Sequence, residues 1–194
     1  MPKPLSGVLP VFQTPYLDDE TIDAPTLQKE IDWLYDCGAD GIVLAMVSEV
    51  LRLDTLEREQ LAELACRFGR ERGLVIISVG AESGKSAERL ASHAESVGAH
   101  ALMAIPPVAT ASGEAEVVKY YRRILKASKL PLVVQDASGY VGRPMSIELQ
   151  AELLKEYGER IYYKPEATPI GPRLSQLRDA TDGRFVELLG ERAN

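Results

Sequence analysis

Apolar residues along this chain fall into short unbroken runs, separated by longer stretches in which they recur every three or four positions. The runs at 41–45 (GIVLA), 74–79 (LVIISV), 101–105 (ALMAI), 131–135 (PLVVQ) and 161–164 (IYYK) read as strands apolar on both faces. Segment 6–14 (SGVLPVFQT), opened by Gly7 and closed at Pro15, reads as a first strand, and 184–189 as a further one. Helical spacing fills the gaps. After Asp23, a natural N-cap, Leu27, Ile31, Leu34 and Tyr35 share one face, and Gly38 ends that helix as a left-handed terminator. The same spacing predicts helices over 55–72, capped by Asp54 or Thr55, and over 86–97, 114–127, 146–157 and 172–181. Residues 36–41 (DCGADG) and 96–101 (SVGAHA) look like two copies of one helix-to-strand junction, as a repeating βα unit would produce.

Strict alternation of helices with strands apolar on both faces implies a parallel sheet covered by helices. A doubly wound sheet calls for a glycine-rich phosphate turn after the first strand, and here that place reads Gln13-Thr14-Pro15-Tyr16. The pattern therefore favours an α/β fold of the (β/α)8 barrel type, incomplete, with six to seven βα units. No linker divides the 194 residues, so one domain over 1–194 is expected.

Composition narrows the partners. With 45% hydrophobic and 26% charged residues and a formal net charge of −7, the chain lacks the basic face that nucleic acid or an anionic membrane requires. A small-molecule partner is expected. No apolar run approaches the ~20 residues of a membrane span, and nothing near the N-terminus combines a basic segment with an apolar one, which predicts a cytoplasmic protein. Cys37 and Cys66, without CxxC spacing, read as buried thiols, and His93 and His100 are too few and too poorly spaced for zinc. His93 reads as a helix-surface residue and His100 as a strand-entry residue.

In parallel barrels the reacting groups come from C-terminal strand ends and the loops after them. That rule selects Thr14, then Met46, Val47, Ser48 and Glu49, then Glu82 and Ser83, Pro107 and Val108, Gln135, Asp136 and Tyr140, and finally Lys164 with Glu166. Lys164 is the amine of the set. Pro165 forces it into extended geometry, so it should be the last residue of its strand. A desolvated amine loses protons more readily, and the neutral amine attacks a ketone to form a Schiff base. The alternative is a lysine that snorkels its ammonium out of the strand end.

Several stretches, in order and spacing, resemble the dihydrodipicolinate synthase and N-acetylneuraminate lyase family of Schiff-base aldolases. They are 7–16 (GVLPVFQTPY), 37–41 (CGADG), Ser48-Glu49, 53–58 (LDTLER), Gly98-Ala99, 105–107 (IPP), Leu130-Pro131 and Tyr163-Lys164. The resemblance implies a (β/α)8 barrel and a homo-oligomer, a dimer or tetramer. It also implies a lyase whose lysine, here Lys164, condenses with pyruvate or another 2-oxo acid without metal or organic cofactor.

Departures from the family pattern shape the expectation. The family's Gly-Thr-Thr-Gly-Glu turn, which holds the substrate carboxylate, is here Ala45-Met46-Val47-Ser48-Glu49. Binding there would fall to backbone N–H groups and the Ser48 hydroxyl, with Thr14 and Asp136 as further substrate-binding candidates. The family tyrosine that relays protons at the fifth strand is replaced by Gln135, which cannot act as acid or base. Tyr140, or water held by Asp136, is then the candidate relay. Val108-Ala109 replace paired tyrosines and make the mouth more apolar. The reading is a divergent 2-oxo-acid aldolase, dehydratase or hydratase-aldolase, ahead of 4-hydroxy-tetrahydrodipicolinate synthase proper. A non-catalytic barrel is the alternative. The strand count, short of eight, predicts either a fragment of a longer lyase or a chain that self-associates to cover the gap, with reduced activity.

Overall fold

Proline decides where the sheet begins. In the computed structural model, which describes residues 5–109, 112–184 and 186–187 (backbone only for 140, 141, 186 and 187), the expected first strand over 6–14 is reduced to a single parallel bridge, Val11 to Val43. The segment still runs beside its neighbour: Asp40 N–H donates to Val8 O at 2.9 Å, Val43 N–H to Pro10 O at 2.9 Å and Phe12 N–H to Val43 O at 3.3 Å. Pro10 brings no N–H of its own, so the ladder cannot extend into a full strand.

Packing groups the chain into two units, Met1–Val79 with Glu88–Leu102 and Gly80–Ala87 with Met103–Asn194. In the first, α1 (Ala24–Asp36) starts at Asp23, whose carboxylate accepts from Thr26 N–H at 3.1 Å, and it buries Leu27, Ile31 and Tyr35. Next come β1 (Gly41–Leu44), α2 (Thr55–Gly69) and β2 (Leu74–Ser78). Asp54 and Glu57 form a reciprocal capping box on α2, their carboxylates taking each other's backbone N–H at 2.9 and 2.7 Å. That helix ends three residues short of the predicted 72. β1 and β2 pair in parallel from Gly41 with Leu74 to Leu44 with Ile77, every residue buried. A side chain at position 41 would meet Leu74 O at 2.5 Å, so glycine is required there.

The two similar junctions are the same structure. Gly38 has φ +94° and Gly98 φ +91°, and in each case the next N–H reaches back to a helix carbonyl, Ala39 to Leu34 at 3.2 Å and Ala99 to Ala94 at 3.0 Å. Helix α3 (Gly84–Ser96) and strand β3 (Ala101–Ala104) run through both units. His100 enters β3 as expected, its Nδ1 accepting Val75 N–H at 3.1 Å, and His93 lies on α3 against Glu59 O at 3.2 Å. The cysteines correct one expectation: Cys66 is buried, its thiol pushed up to about 12 by desolvation, but Cys37, at the end of α1, is exposed.

In the second unit, α4 (Glu114–Ala127) buries Val117, Val118, Tyr120, Tyr121, Ile124 and Leu125. It is followed by β4 (Leu132–Asp136), α5 (Ser138–Val141), α6 (Ile147–Tyr157), β5 (Ile161–Pro165), α7 (Ile170–Ala180) and β6 (Val186–Glu187). Parallel pairing runs from Leu132 with Ile161 to Asp136 with Pro165, then from Tyr162 with Val186 to Tyr163 with Glu187. The last strand was expected over 184–189; residues 185 and 188–189 lie outside the described residues. Strands lie in the sheet in chain order, β1 to β6, with no reversal of the kind that marks a doubly wound sheet. This is the strand succession of a (β/α)8 barrel, incomplete among the described residues at six of eight strands.

Candidate active site

Strand β5 alternates. Ile161, Tyr163 and Pro165 are buried while Tyr162 and Lys164 are intermediate, and the Tyr163 hydroxyl donates to Gln150 O on α6. Tyr163 therefore faces the helix, and Lys164 stands on the opposite face of the sheet. The parallel register sets Lys164 beside Gln135 of β4. Pro165 keeps the chain extended past the lysine, so Glu166, two residues on, returns to the lysine's side. Glu166 Oε1 takes a hydrogen bond from Lys164 Nζ, and its Oε2 accepts from Gln135 Nε2 at 2.8 Å. The lysine and glutamate side chains are only 12% and 15% exposed, and Gln135 is 3% exposed. The three form one contact set: an amine, a carboxylate that touches it, and an amide that fixes the carboxylate's orientation.

Asp136, next to Gln135, is buried and turned to other partners. One carboxylate oxygen accepts Met145 N–H at 3.0 Å and the other pairs with Arg173 Nη2 at 3.2 Å. Desolvation raises its pKa above the ordinary 3.8; the Met145 N–H and the Arg173 guanidinium pull against that rise, and nearby Glu166 adds to it. Tyr140, expected in a loop, lies instead on the single helical turn α5, and its side chain is outside the described residues. In the same unit Glu82 accepts Val108 N–H at 2.7 Å and Ala109 N–H at 3.1 Å, which pins the segment after β3.

In the first unit, Met46, Val47 and Ser48 form one 3-10 turn that ends at Glu49 with φ +68°. Thr14 Oγ1 donates to Ser48 O at 2.7 Å, and Ser48 Oγ donates to Phe12 O at 2.5 Å while accepting Ala45 N–H at 3.2 Å. Both hydroxyl protons are thus held by main-chain carbonyls. Thr14 and Ser48 are buried, whereas Val47 is half exposed.

Glu166 is one of the strand-end candidates, and its tie to Gln135 of the neighbouring strand is the part that sequence alone does not show. One residue of the second unit escapes a reading from sequence alone. Arg173 sits in the first turn of α7, where a cation opposes the helix dipole, and that misplacement was the signal that it serves another group. Among the described residues no cluster of His, Cys, Asp or Glu could hold a metal ion, and no helix is long and apolar enough to cross a membrane.

Over most of its length the chain is similar to known proteins. The chain is 29% identical over 188 residues to 4-hydroxy-tetrahydrodipicolinate synthase of Rhizobium meliloti, covering 96% of this chain and 64% of that protein. It is 28% identical over 175 residues to L-2-keto-3-deoxyarabonate dehydratase of Azospirillum brasilense, covering 88% and 56%. The crystal structure of the chloride-inhibited dihydrodipicolinate synthase of Acinetobacter baumannii, complexed with pyruvate, superposes with a TM-score of 0.84 at 26% identity, covering 93% of this chain and 62% of that one. The chain spans less than two thirds of the length of each of these proteins. Residues 4–185 match the model of the dihydrodipicolinate synthetase family, and the chain belongs to that family.

Proposed function

We propose that Lys164 is the Schiff-base nucleophile of a lyase acting on pyruvate or another 2-oxo acid. One observation carries the reading: at the C-terminal end of β5 a mostly buried amine is held in contact with a carboxylate, on the sheet face opposite the covering helix. Strand C-terminal ends are where barrels of this type keep their chemistry. The pyruvate complex of the Acinetobacter baumannii protein supports a 2-oxo acid as the class of substrate. Attack of the neutral amine on the C2 carbonyl gives a carbinolamine, loss of water gives a protonated imine, and that imine draws electrons from the adjacent carbon, so a bond one carbon further on can break. A carbon–carbon bond broken there is aldol cleavage; a carbon–oxygen bond is dehydration.

The reaction assigned is aldol cleavage or dehydration of a 2-oxo acid rather than 4-hydroxy-tetrahydrodipicolinate synthesis. Gln135 cannot exchange protons, and Met46 and Val47 bring no hydroxyl to the turn that would hold a carboxylate. The relation to a keto-deoxy-sugar-acid dehydratase supports the same choice. Thr14, Met46, Val47 and Ser48 are assigned to substrate binding through the main chain of their turn, with Asp136 as a further substrate-binding group and the Tyr140 phenol as a proton carrier for the acceptor. A small-molecule substrate and a homo-oligomer complete the proposal.

The test is incubation with pyruvate and borohydride followed by intact-mass analysis and peptide mapping. A reduced adduct on Lys164, absent from Lys164→Ala, is expected. No adduct, as a non-catalytic barrel would give, or an adduct that persists in Lys164→Ala, overturns the assignment.

A further inference from the structure

We infer that Glu166 is the acid and base that serves Lys164, an inference that rests on the Schiff-base reading above. The ammonium form of a lysine has no lone pair, so attack on a ketone requires that a proton leave first. Some group must take a proton before attack and return one when water leaves. Two side chains bind to one another around Lys164: Gln135, whose amide has no proton to exchange, and Glu166, whose carboxylate touches Nζ. Gln135 orients rather than reacts. Its Nε2–H holds Glu166 Oε2 at 2.8 Å and leaves Oε1 on the amine. Pro165 contributes from the backbone, because extended geometry at Lys164 is what brings residue 166 to the lysine's face.

The proton movements balance. Glu166 takes one proton from the ammonium, and the resulting amine attacks the C2 carbonyl. The nitrogen–carbon bond forms, and a second proton passes from nitrogen to the former carbonyl oxygen to give the carbinolamine. Glu166 then returns its proton to that hydroxyl, which departs as water while the nitrogen lone pair closes the C=N bond. Ammonium and ketone have become a protonated imine and water, and Glu166 is again a carboxylate. No oxidant, reductant or metal enters these steps. The carboxylate stays throughout within reach of the nitrogen it serves, as general acid–base catalysis requires.

The experiment measures the rate and the endpoint of pyruvate trapping by borohydride in the unaltered protein and in Glu166→Gln, Glu166→Asp and Glu166→Ala, with a thermal melt of each. Glu166→Gln keeps the shape of the side chain and removes its basicity; trapping should slow by roughly 10²-fold and still reach the same endpoint on Lys164. Glu166→Asp should recover part of the rate, and added formate should accelerate Glu166→Ala but not the unaltered protein. Trapping by Glu166→Gln at the unaltered rate overturns the inference and leaves the role of Lys164 standing. Slowing that neither Asp nor formate relieves marks Glu166 as structural and overturns it as well. Absence of any adduct in the unaltered protein removes the Schiff-base reading and this inference together.

Discussion

Replacing Arg173 by Met tests whether the Asp136–Arg173 pair is electrostatic or only a packing contact. Methionine keeps much of the apolar stem and removes the guanidinium. What remains is a carboxylate on a side chain 4% exposed, holding one donor, Met145 N–H at 3.0 Å. The Met145 carbonyl keeps its other donor, Gln150 Nε2 at 3.3 Å, so the loss falls mainly on Asp136. Removing one partner of a buried pair costs about 3–5 kcal/mol; with Arg173 itself 19% exposed, the lower end, about 3 kcal/mol, is expected here. For a chain of this size that corresponds to a fall in Tm of about 6–12 °C.

The pH dependence is the sharper reading. Asp136 already sits above its ordinary 3.8 because burial outweighs its donors. The folded chain therefore binds this proton more tightly than the unfolded chain. The resulting stability is complete below 3.8 and is lost as pH rises through the folded value. Removing Arg173 raises the folded value further, so the cost of the substitution should be small in acid and grow as pH rises. Urea or thermal unfolding of both proteins, from about pH 4 to about pH 8, measures the gap. A gap that stays constant across the range would refute the reasoning and make the contact a matter of packing alone.

Two further substitutions bear on the frame around the site. Tyr163→Phe removes the hydroxyl that donates to Gln150 O and should destabilise by about 1 kcal/mol, read as a lower urea midpoint with an unchanged slope. Asp54→Ala removes the cap of α2 and its reciprocal bond with Glu57, and a loss of about 1 kcal/mol is expected in the same assay, against no change for the exposed Lys119→Ala.

Features that depend on neighbours in sequence were legible before the structure. Asp23 and Asp54 cap the helices that follow them, because each side chain needs only a backbone N–H three residues on. Gly38 and Gly98 end their helices at positive φ for an equally local reason. Features that depend on a missing donor or a distant partner were not. Pro10 sits inside an apolar run that looks like a strand, and only the ladder beside it reveals the cost of its absent N–H. Helix α5 holds four residues with Gly139 among them, too short for any period to register. The position of Lys164 before a proline at the end of an apolar run was visible. Its contact with Glu166 follows from two residues of extended chain, whereas the hydrogen bond from Gln135 to Glu166 needed the register of β4 against β5, which no spacing within one segment encodes.

The carboxylates at the strand ends of the second unit differ by what donates to them, and that difference assigns their work. Glu82 is held by two backbone N–H groups, Val108 and Ala109, neither of which can give up its proton; its part is to fix a loop. Asp136 is held by Met145 N–H and by the Arg173 guanidinium, which tie α7 to the end of β4 and engage both its oxygens; the part proposed for it is to bind substrate, not to carry a proton. Glu166 is held by Gln135, which only orients it, and by Lys164, whose ammonium can exchange protons and whose neutral form is a nucleophile. The three groups are alike in type and in their place at or just after the end of a strand. Glu166 alone of these three has a partner through which a proton can move, which is why the chemistry is assigned to Lys164 and Glu166 rather than to the buried aspartate beside them.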